Sequence, residues 1–268
     1  MKQQRDTVLI TGASSGIGEA LAWVCAQHDL DLILVARSID KLNTLAAELS
    51  RQYGVGVIAR HCDLSSPEST KNLCETLLAE NRQIDMLVNS AGVLEHGSFV
   101  KISADHHQRM IQLNVVALTS MLSYLLPPMV ERGSGRVLNI ASLGAFQPIP
   151  SLATYAATKA YVLSLSEALV EELRSTGVTV TTLCPGPTAT NMMATAQQKS
   201  EALLKVPELV VSDVNVVARK AFHACIKGDA IVVPGALNRT ASLISRATPK
   251  WLIRRLTGIV GRATLPQD

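Results

Sequence analysis

Short apolar runs alternate along the chain with stretches whose apolar positions recur every three or four residues. The runs at 8–10, 32–35, 55–59, 84–88, 136–140, 178–183 and 230–233 predict strands. Between them, Ile17, Leu21, Val24 and Cys25 share one face of a helix over 17–28. Ser38 is placed to cap a second helix reaching Tyr53, with Leu42, Leu45, Ala46 and Leu49 on one face. Ser66-Pro67 opens a third, with proline at the first helical position. Further helices are predicted at 104–130, 152–175 and 212–227. Strands this apolar are covered on both faces, and strict alternation with helices makes the sheet parallel. The expected fold is therefore α/β, a doubly wound seven-stranded parallel sheet with helices on both faces. No repeat, low-complexity run or linker interrupts it, so one domain is expected over 1–268, with its core at 7–233 and a basic, partly amphipathic helical extension at 236–268.

Composition changes this picture little. Hydrophobic residues make up 47% of the 268 and charged residues 18%, which suits a globular chain. A net charge of +3 and 3% aromatics argue against a nucleic-acid partner. Cys25, Cys62, Cys74, Cys184 and Cys225 are scattered, with no C-x-x-C pair and no clustered histidines. They read as reduced cytosolic thiols rather than a disulfide frame or a metal site. The N-terminal residues lead straight into the first strand, which leaves no room for a signal peptide and points to the cytoplasm. Residues 110–130 are uncharged and long enough to span a bilayer. Gln112, Asn114 and the Pro127-Pro128 pair instead predict a buried helix of the domain.

Candidate chemistry gathers where strands end. Residues 7–18 read as strand, glycine turn and helix start, with Gly12, Gly16 and Gly18 leaving room for a diphosphate at the helix N-terminus. The spacing G-x-x-x-G-x-G differs from the common dinucleotide fingerprint, and an ordinary strand-loop-helix turn is the alternative. The second strand ends in Ala36-Arg37-Ser38. No carboxylate stands there to repel a 2′-phosphate, and the Arg37 fork suits one, which favours NADP(H) over NAD(H). A solvated helix-start residue is the other reading of Arg37. Asp63 ends the third strand, either as an acceptor for the adenine amino group or as a plain turn residue. Tyr155 and Lys159, four apart on a predicted helix, share a face. A free tyrosine has a pKa of about 10, and a neighbouring ammonium brings it down toward the operating range. Tyr155 is then suited to exchange a proton with a carbonyl or alcohol oxygen, and Lys159 to hold ribose hydroxyls. Ser142, at the end of the fifth strand, is placed to hold the substrate oxygen. Asn114 is either a satisfied core amide or a link in a proton relay through water.

Taken in order, Thr11-Gly12-x-x-x-Gly16-x-Gly18, Asp63, Asn89-Ser90-Ala91-Gly92, Asn114, Ser142, Tyr155-x-x-x-Lys159 and Pro185-Gly186 closely resemble the short-chain dehydrogenase/reductase family, in its shorter single-domain branch. The resemblance covers 7 to about 233 and implies a Rossmann-type fold and an NADP(H)-dependent oxidoreductase. It implies Tyr155 as general acid/base, Ser142 orienting the substrate, Lys159 assisting and Asn114 completing the relay. For the cofactor it implies Gly12, Ser14, Ser15, Gly16, Ile17 and Gly18 at the first turn. Arg37, Asp63 and Leu64 follow at the second and third strands, and Asn89, Ala91 and Gly92 at the fourth. Pro185, Gly186, Thr188 and Thr190 take the nicotinamide side. Ser90 departs from the family, which most often has a second asparagine there. The family commonly forms dimers or tetramers through the two long helices, here 104–130 and 152–175. A non-catalytic NADP-sensing protein on the same fold is the alternative, and the presence of both Tyr155 and Lys159 speaks against it.

Specificity is expected at 93–96, at 143–150 and after Pro185, including Met192 and Met193. These stretches are largely apolar, so a hydrophobic carbonyl or alcohol is expected as substrate. Beyond 236 the family motifs stop and the chain turns basic. Over 251–262 the apolar residues share one helical face, suited to docking on the domain or a partner subunit, or to weak contact of 249–262 with an anionic membrane surface.

Overall fold

The computed structural model describes residues 5–190 and 211–248. The two methionines at 192–193 and the basic stretch 249–262 lie outside those residues. Seven parallel strands form one sheet: β1 (Thr7–Thr11), β2 (Asp31–Ala36), β3 (Val57–His61), β4 (Met86–Asn89), β5 (Gly135–Ile140), β6 (Val178–Leu183) and β7 (Ile231–Val232). Their order is β3-β2-β1-β4-β5-β6-β7. The chain winds outward from β1 in one direction and from β4 in the other, which opens a crevice between them at the carboxyl ends.

Side chains alternate across each strand, and both faces are buried. In β1, Val8 and Ile10 enter one core while Leu9 enters the other, and all three are fully buried. The first core is closed by α1 (Gly16–Gln27), α2 (Ile39–Tyr53) and α7 (Val214–Lys227), through Leu21, Leu42 and Phe222. The second is closed by α3 (Pro67–Ala79), α5 (Leu118–Arg132) and α6 (Ala153–Glu172), through Leu77, Leu125 and Val162.

The predicted elements are present, with shifted ends. Strand β3 begins two residues later than its apolar run and continues to His61, in register with Ala36 of β2. Ser66 caps α3 by accepting the Ser69 N–H at 3.2 Å, with Pro67 at the first helical position. Ser38 occupies the corresponding position before α2, but its side chain makes no capping hydrogen bond, contrary to the sequence reading.

The long helix predicted at 104–130 is interrupted. It runs as α4 (Ala104–Ile111), a π-helical turn over Gln112–Ala117, and then α5. Helix α5 continues through Pro127 and Pro128. Among the described residues, Ala104–Arg132 is the one helix long and apolar enough to cross a membrane. Met110, Asn114, Leu118, Met121, Leu125 and Met129 nevertheless turn its inner side onto the sheet and α6, as expected of a buried domain helix. After β7, Gly235 turns the chain with a φ of +90° into α8 (Ala236–Ala247), at the start of the extension expected to be helical.

Candidate active site

Strand register brings the chemistry to one edge. Thr11 lies opposite Asn89, Asn89 opposite Asn139, Ile140 opposite Leu183, and Leu183 opposite Val232. The segments following β1, β4, β5 and β6 therefore leave the sheet side by side. They enclose a cleft of about 420 Å³ that runs from Arg37 and Asp63 at one end to Tyr155 and Gly186 at the other.

The β1 turn forms the cleft floor through Gly12, Ser14, Ser15, Gly16 and Ile17. Gly12 has a φ of +66°, and a Cβ there would stand 2.8 Å from the Ala91 Cα. Gly16 has a φ of +62°, and its Cβ would meet the Thr190 methyl at 3.3 Å. Only glycine combines that backbone with that closeness. Thr11 fixes the β1 end to the β4 end. Its hydroxyl donates to the Val88 carbonyl at 3.2 Å and accepts the N–H groups of Ser90 and Ala91 at 3.0 and 3.1 Å. No side chain caps α1 at Ser15, which leaves the N-terminal end of that helix open toward the cleft.

Two of the cofactor residues implied by the family resemblance, Gly18 and Asn89, and the implied relay residue Asn114 do not form the cleft wall. Gly18 is buried under Gly12, with Ser90 Oγ also close by. Asn89 donates from Nδ2 to Asn139 Oδ1 at 2.9 Å, and Asn139 donates to Ser166 Oγ at 2.9 Å, a buried chain from β4 to α6. Asn114 is 1% exposed; its Oδ1 accepts the Val93 N–H and its Nδ2 donates to the Val93 carbonyl, both at 2.9 Å, with a further bond to Thr158 Oγ1 at 3.1 Å. The side chain is thus a satisfied core amide that pins the β4 loop to α6. The π turn matters separately: the Leu118 N–H, which in an α-helix would bond the Asn114 carbonyl, bonds the Val115 carbonyl instead.

At the Arg37 end, Asp63 Oδ1 accepts the Ser65 hydroxyl at 2.7 Å and the Ser65 N–H at 3.0 Å. These bonds, helped by the positive charges of Arg37 and Arg109, hold the carboxyl below the usual aspartate range. Leu64 lines the cleft beside it. Arg109 on α4 also faces this end, a cation the sequence reading missed because nothing local ties that helix to the ends of β2 and β3.

At the other end, Tyr155 and Ser142 line the cleft together, near enough for their hydroxyls to interact. The Ser142 hydroxyl oxygen also accepts the Gly144 N–H at 3.0 Å. Lys159 is 7% exposed and donates from Nζ to the Ile140 carbonyl at 2.8 Å, with Nζ 5.8 Å from the Tyr155 ring centre. Withdrawal from water lowers the Lys159 pKa to about 8. Withdrawal likewise raises the Tyr155 phenol above its ordinary value, with the Ser142 hydroxyl opposing. This corrects the expectation of a lowered tyrosine pKa: desolvation is the dominant effect, and the Lys159 ammonium spends a hydrogen bond on a main-chain carbonyl. The β6 loop closes the site. Pro185, Gly186, Thr188 and Thr190 line it, and Thr188 Oγ1 donates to the Gly186 carbonyl at 2.9 Å. On the substrate side the walls are apolar, with Val93, Leu94, Leu143, Ile149 and Leu152.

A model of the short chain dehydrogenase family matches residues 6–201. The chain belongs to the short chain dehydrogenase family. The oxidoreductase YvaG of Bacillus subtilis is 34% identical over 193 residues, 72% of this chain and 72% of that protein. Among solved structures, a short-chain dehydrogenase from Sphingobium yanoikuyae in complex with NADPH superposes with a TM-score of 0.81 at 33% identity, covering 98% of this chain and 97% of that one. A bulky-bulky ketone specific alcohol dehydrogenase from Comamonas testosteroni superposes with a TM-score of 0.77 at 28% identity, covering 99% and 97%. Family membership makes this chain an oxidoreductase with a Rossmann-type sheet, and places β1 to β6 and the Tyr155–Lys159 helix within the matched region.

Proposed function

We propose that the chain is an NADP(H)-dependent oxidoreductase interconverting a carbonyl compound and a secondary alcohol, with Tyr155 as the general acid/base. The observation that carries this reading is the meeting of Tyr155, Ser142 and Lys159 at one end of a cleft whose other end presents Arg37. The cleft fits a dinucleotide. Gly12 and Gly16 leave a floor free of side chains, α1 opens toward it, and an exposed guanidinium rather than a carboxylate stands at the end of β2. When bound, NADPH supplies the hydride.

The chain's own residues do the rest. The Ser142 oxygen accepts the Gly144 N–H, which leaves its hydroxyl proton to be donated on the cleft side, where it orients the substrate oxygen. Tyr155, a phenol whose pKa burial raises further, is placed to deliver its proton to the oxygen of a carbonyl being reduced. Lys159, fixed by the Ile140 carbonyl, presents its remaining N–H donors toward the cleft for ribose hydroxyls. The Asn114 carbonyl, in the π turn beside the site, is the group proposed to continue the relay. The apolar wall around Leu143 and Ile149 favours a hydrophobic ketone, in keeping with the Comamonas testosteroni neighbour.

Tyr155→Phe tests the reading. It is expected to lower reductive turnover by about three orders of magnitude or more while NADPH binding, followed by fluorescence, stays within about threefold. Turnover near the wild-type level removes Tyr155 as the proton donor.

A further inference from the structure

Helix α8 bears on the cofactor loop in a way that no motif marks. Strands β6 and β7 are parallel, with Leu183 opposite Val232, so the segments that follow them leave the same edge together. One is Pro185-Gly186-Pro187-Thr188, which lines the cleft. The other is Pro234-Gly235, which turns into α8. Asn238, in the first turn of α8, is 8% exposed, and its Nδ2 donates to the Pro234 carbonyl at 2.9 Å. That bond holds its amide against Gly186. A Cβ on Gly186 would stand 2.6 Å from Asn238 Nδ2 and 2.9 Å from both Cγ and Oδ1. Gly186 is not among the residues with positive φ, so its backbone does not require glycine. Its neighbour does.

Other contacts tie the loop sideways: the Leu143 N–H bonds the Pro185 carbonyl, and the Ser212 N–H bonds the Pro187 carbonyl, both at 2.9 Å. Gly186 lines the cleft and Asn238 does not, so the amide stands behind the loop. We propose that Asn238 is a positioning residue: packed behind Gly186, it sets how far the Pro185–Thr188 segment reaches into the cleft, and through it α8 controls dinucleotide affinity. The proposal rests on the reading of the cleft as a dinucleotide site. It gives a function to a helix beyond the matched residues 6–201.

The test is NADPH titration, followed by fluorescence, of the full chain and three variants. Gly186→Ala places a methyl where the Asn238 amide lies, and is expected to weaken NADPH binding about tenfold or more. Combining it with Asn238→Ala removes the obstructing atoms, and is expected to return affinity to that of Asn238→Ala alone, a coupling that independent defects do not show. A double variant no better than Gly186→Ala overturns the proposal. If Gly186→Ala does not fold, recovery of folded, NADPH-binding protein in the double variant supports it. If neither folds, Asn238→Ala decides alone: the expected result is about threefold to tenfold weaker NADPH binding, with the melting temperature of the cofactor-free protein moved by less than about 2 °C. Unchanged affinity overturns the proposal. Wild-type protein that binds neither NADPH nor NADH overturns the dinucleotide reading instead.

Discussion

Arg37 is exposed at the end of β2, across the cleft end from Asp63. An exposed guanidinium can meet a 2′-phosphate with two parallel hydrogen bonds at little desolvation cost. Arg37→Asp reverses the sign at that point. It is expected to shift the ratio of NADPH to NADH affinity by about a hundredfold toward NADH, read by paired titrations. An unchanged ratio transfers phosphate recognition to Ser14 or to Arg109. Tyr155 and Lys159 illustrate the opposite environment. Both are withdrawn from water, and each is pushed toward its neutral form: the phenol up, the ammonium down to about 8. Spacing alone predicted their contact and missed the sign of the tyrosine shift, because the i, i+4 interval carries no information about how much water reaches the pair.

The π turn over Gln112–Ala117 is the element that couples the long helix to the site. Asn114 faces inward from it and completes a two-bond bracket on Val93, the first residue past the β4 motif. Its remaining bond reaches Thr158, one residue before Lys159. Removing this amide strands the N–H and carbonyl of Val93 beneath the surface, each at a cost of about 1–3 kcal/mol if no water replaces it. Asn114→Ala is therefore expected to lower the melting temperature by about 4 °C or more and to weaken turnover together with it. Differential scanning calorimetry with a parallel activity assay checks this, and an unchanged transition would show that the bracket contributes nothing. The sequence marked Asn114 as a polar residue among apolar ones, but the interruption of the helix was not legible. A π turn keeps the local apolar pattern and differs only in which carbonyl meets which N–H.

Across the whole molecule, α5 and α6 lie side by side and leave an apolar groove open between Leu122, Leu126, Leu165 and Leu169. Exposed Val130 lies in the groove and Tyr161 on the same α5–α6 face. We propose a second copy of the chain as its occupant, through the pairing of long helices that the family resemblance implies. Leu126→Arg introduces a charge that burial between subunits would leave unpaired, and is expected to convert the oligomer to a monomer in sedimentation analysis. A wild-type chain that sediments as a monomer at tens of micromolar removes this role from the face.

By itself the sequence determined the alternation of strands and helices, the parallel sheet and the family. Those properties follow from short-range periodicity and from glycine, serine, tyrosine and lysine at fixed intervals, which the chain carries locally. It also nominated most of the cleft: Gly12, Gly16, Arg37, Asp63, Ser142, Tyr155, Lys159 and Pro185 all meet there. Tertiary structure alone decided the rest. Arg109 reaches the cleft, Ile140 lends Lys159 a carbonyl, and Asn238 imposes glycine at 186, because strands far apart in sequence end at the same edge. Main-chain acceptors leave no mark in residue identity, a glycine does not say which neighbour approaches it, and the polarity of a site depends on which segments exclude water from it. Such properties belong to the assembled sheet and become visible only when its edge is complete.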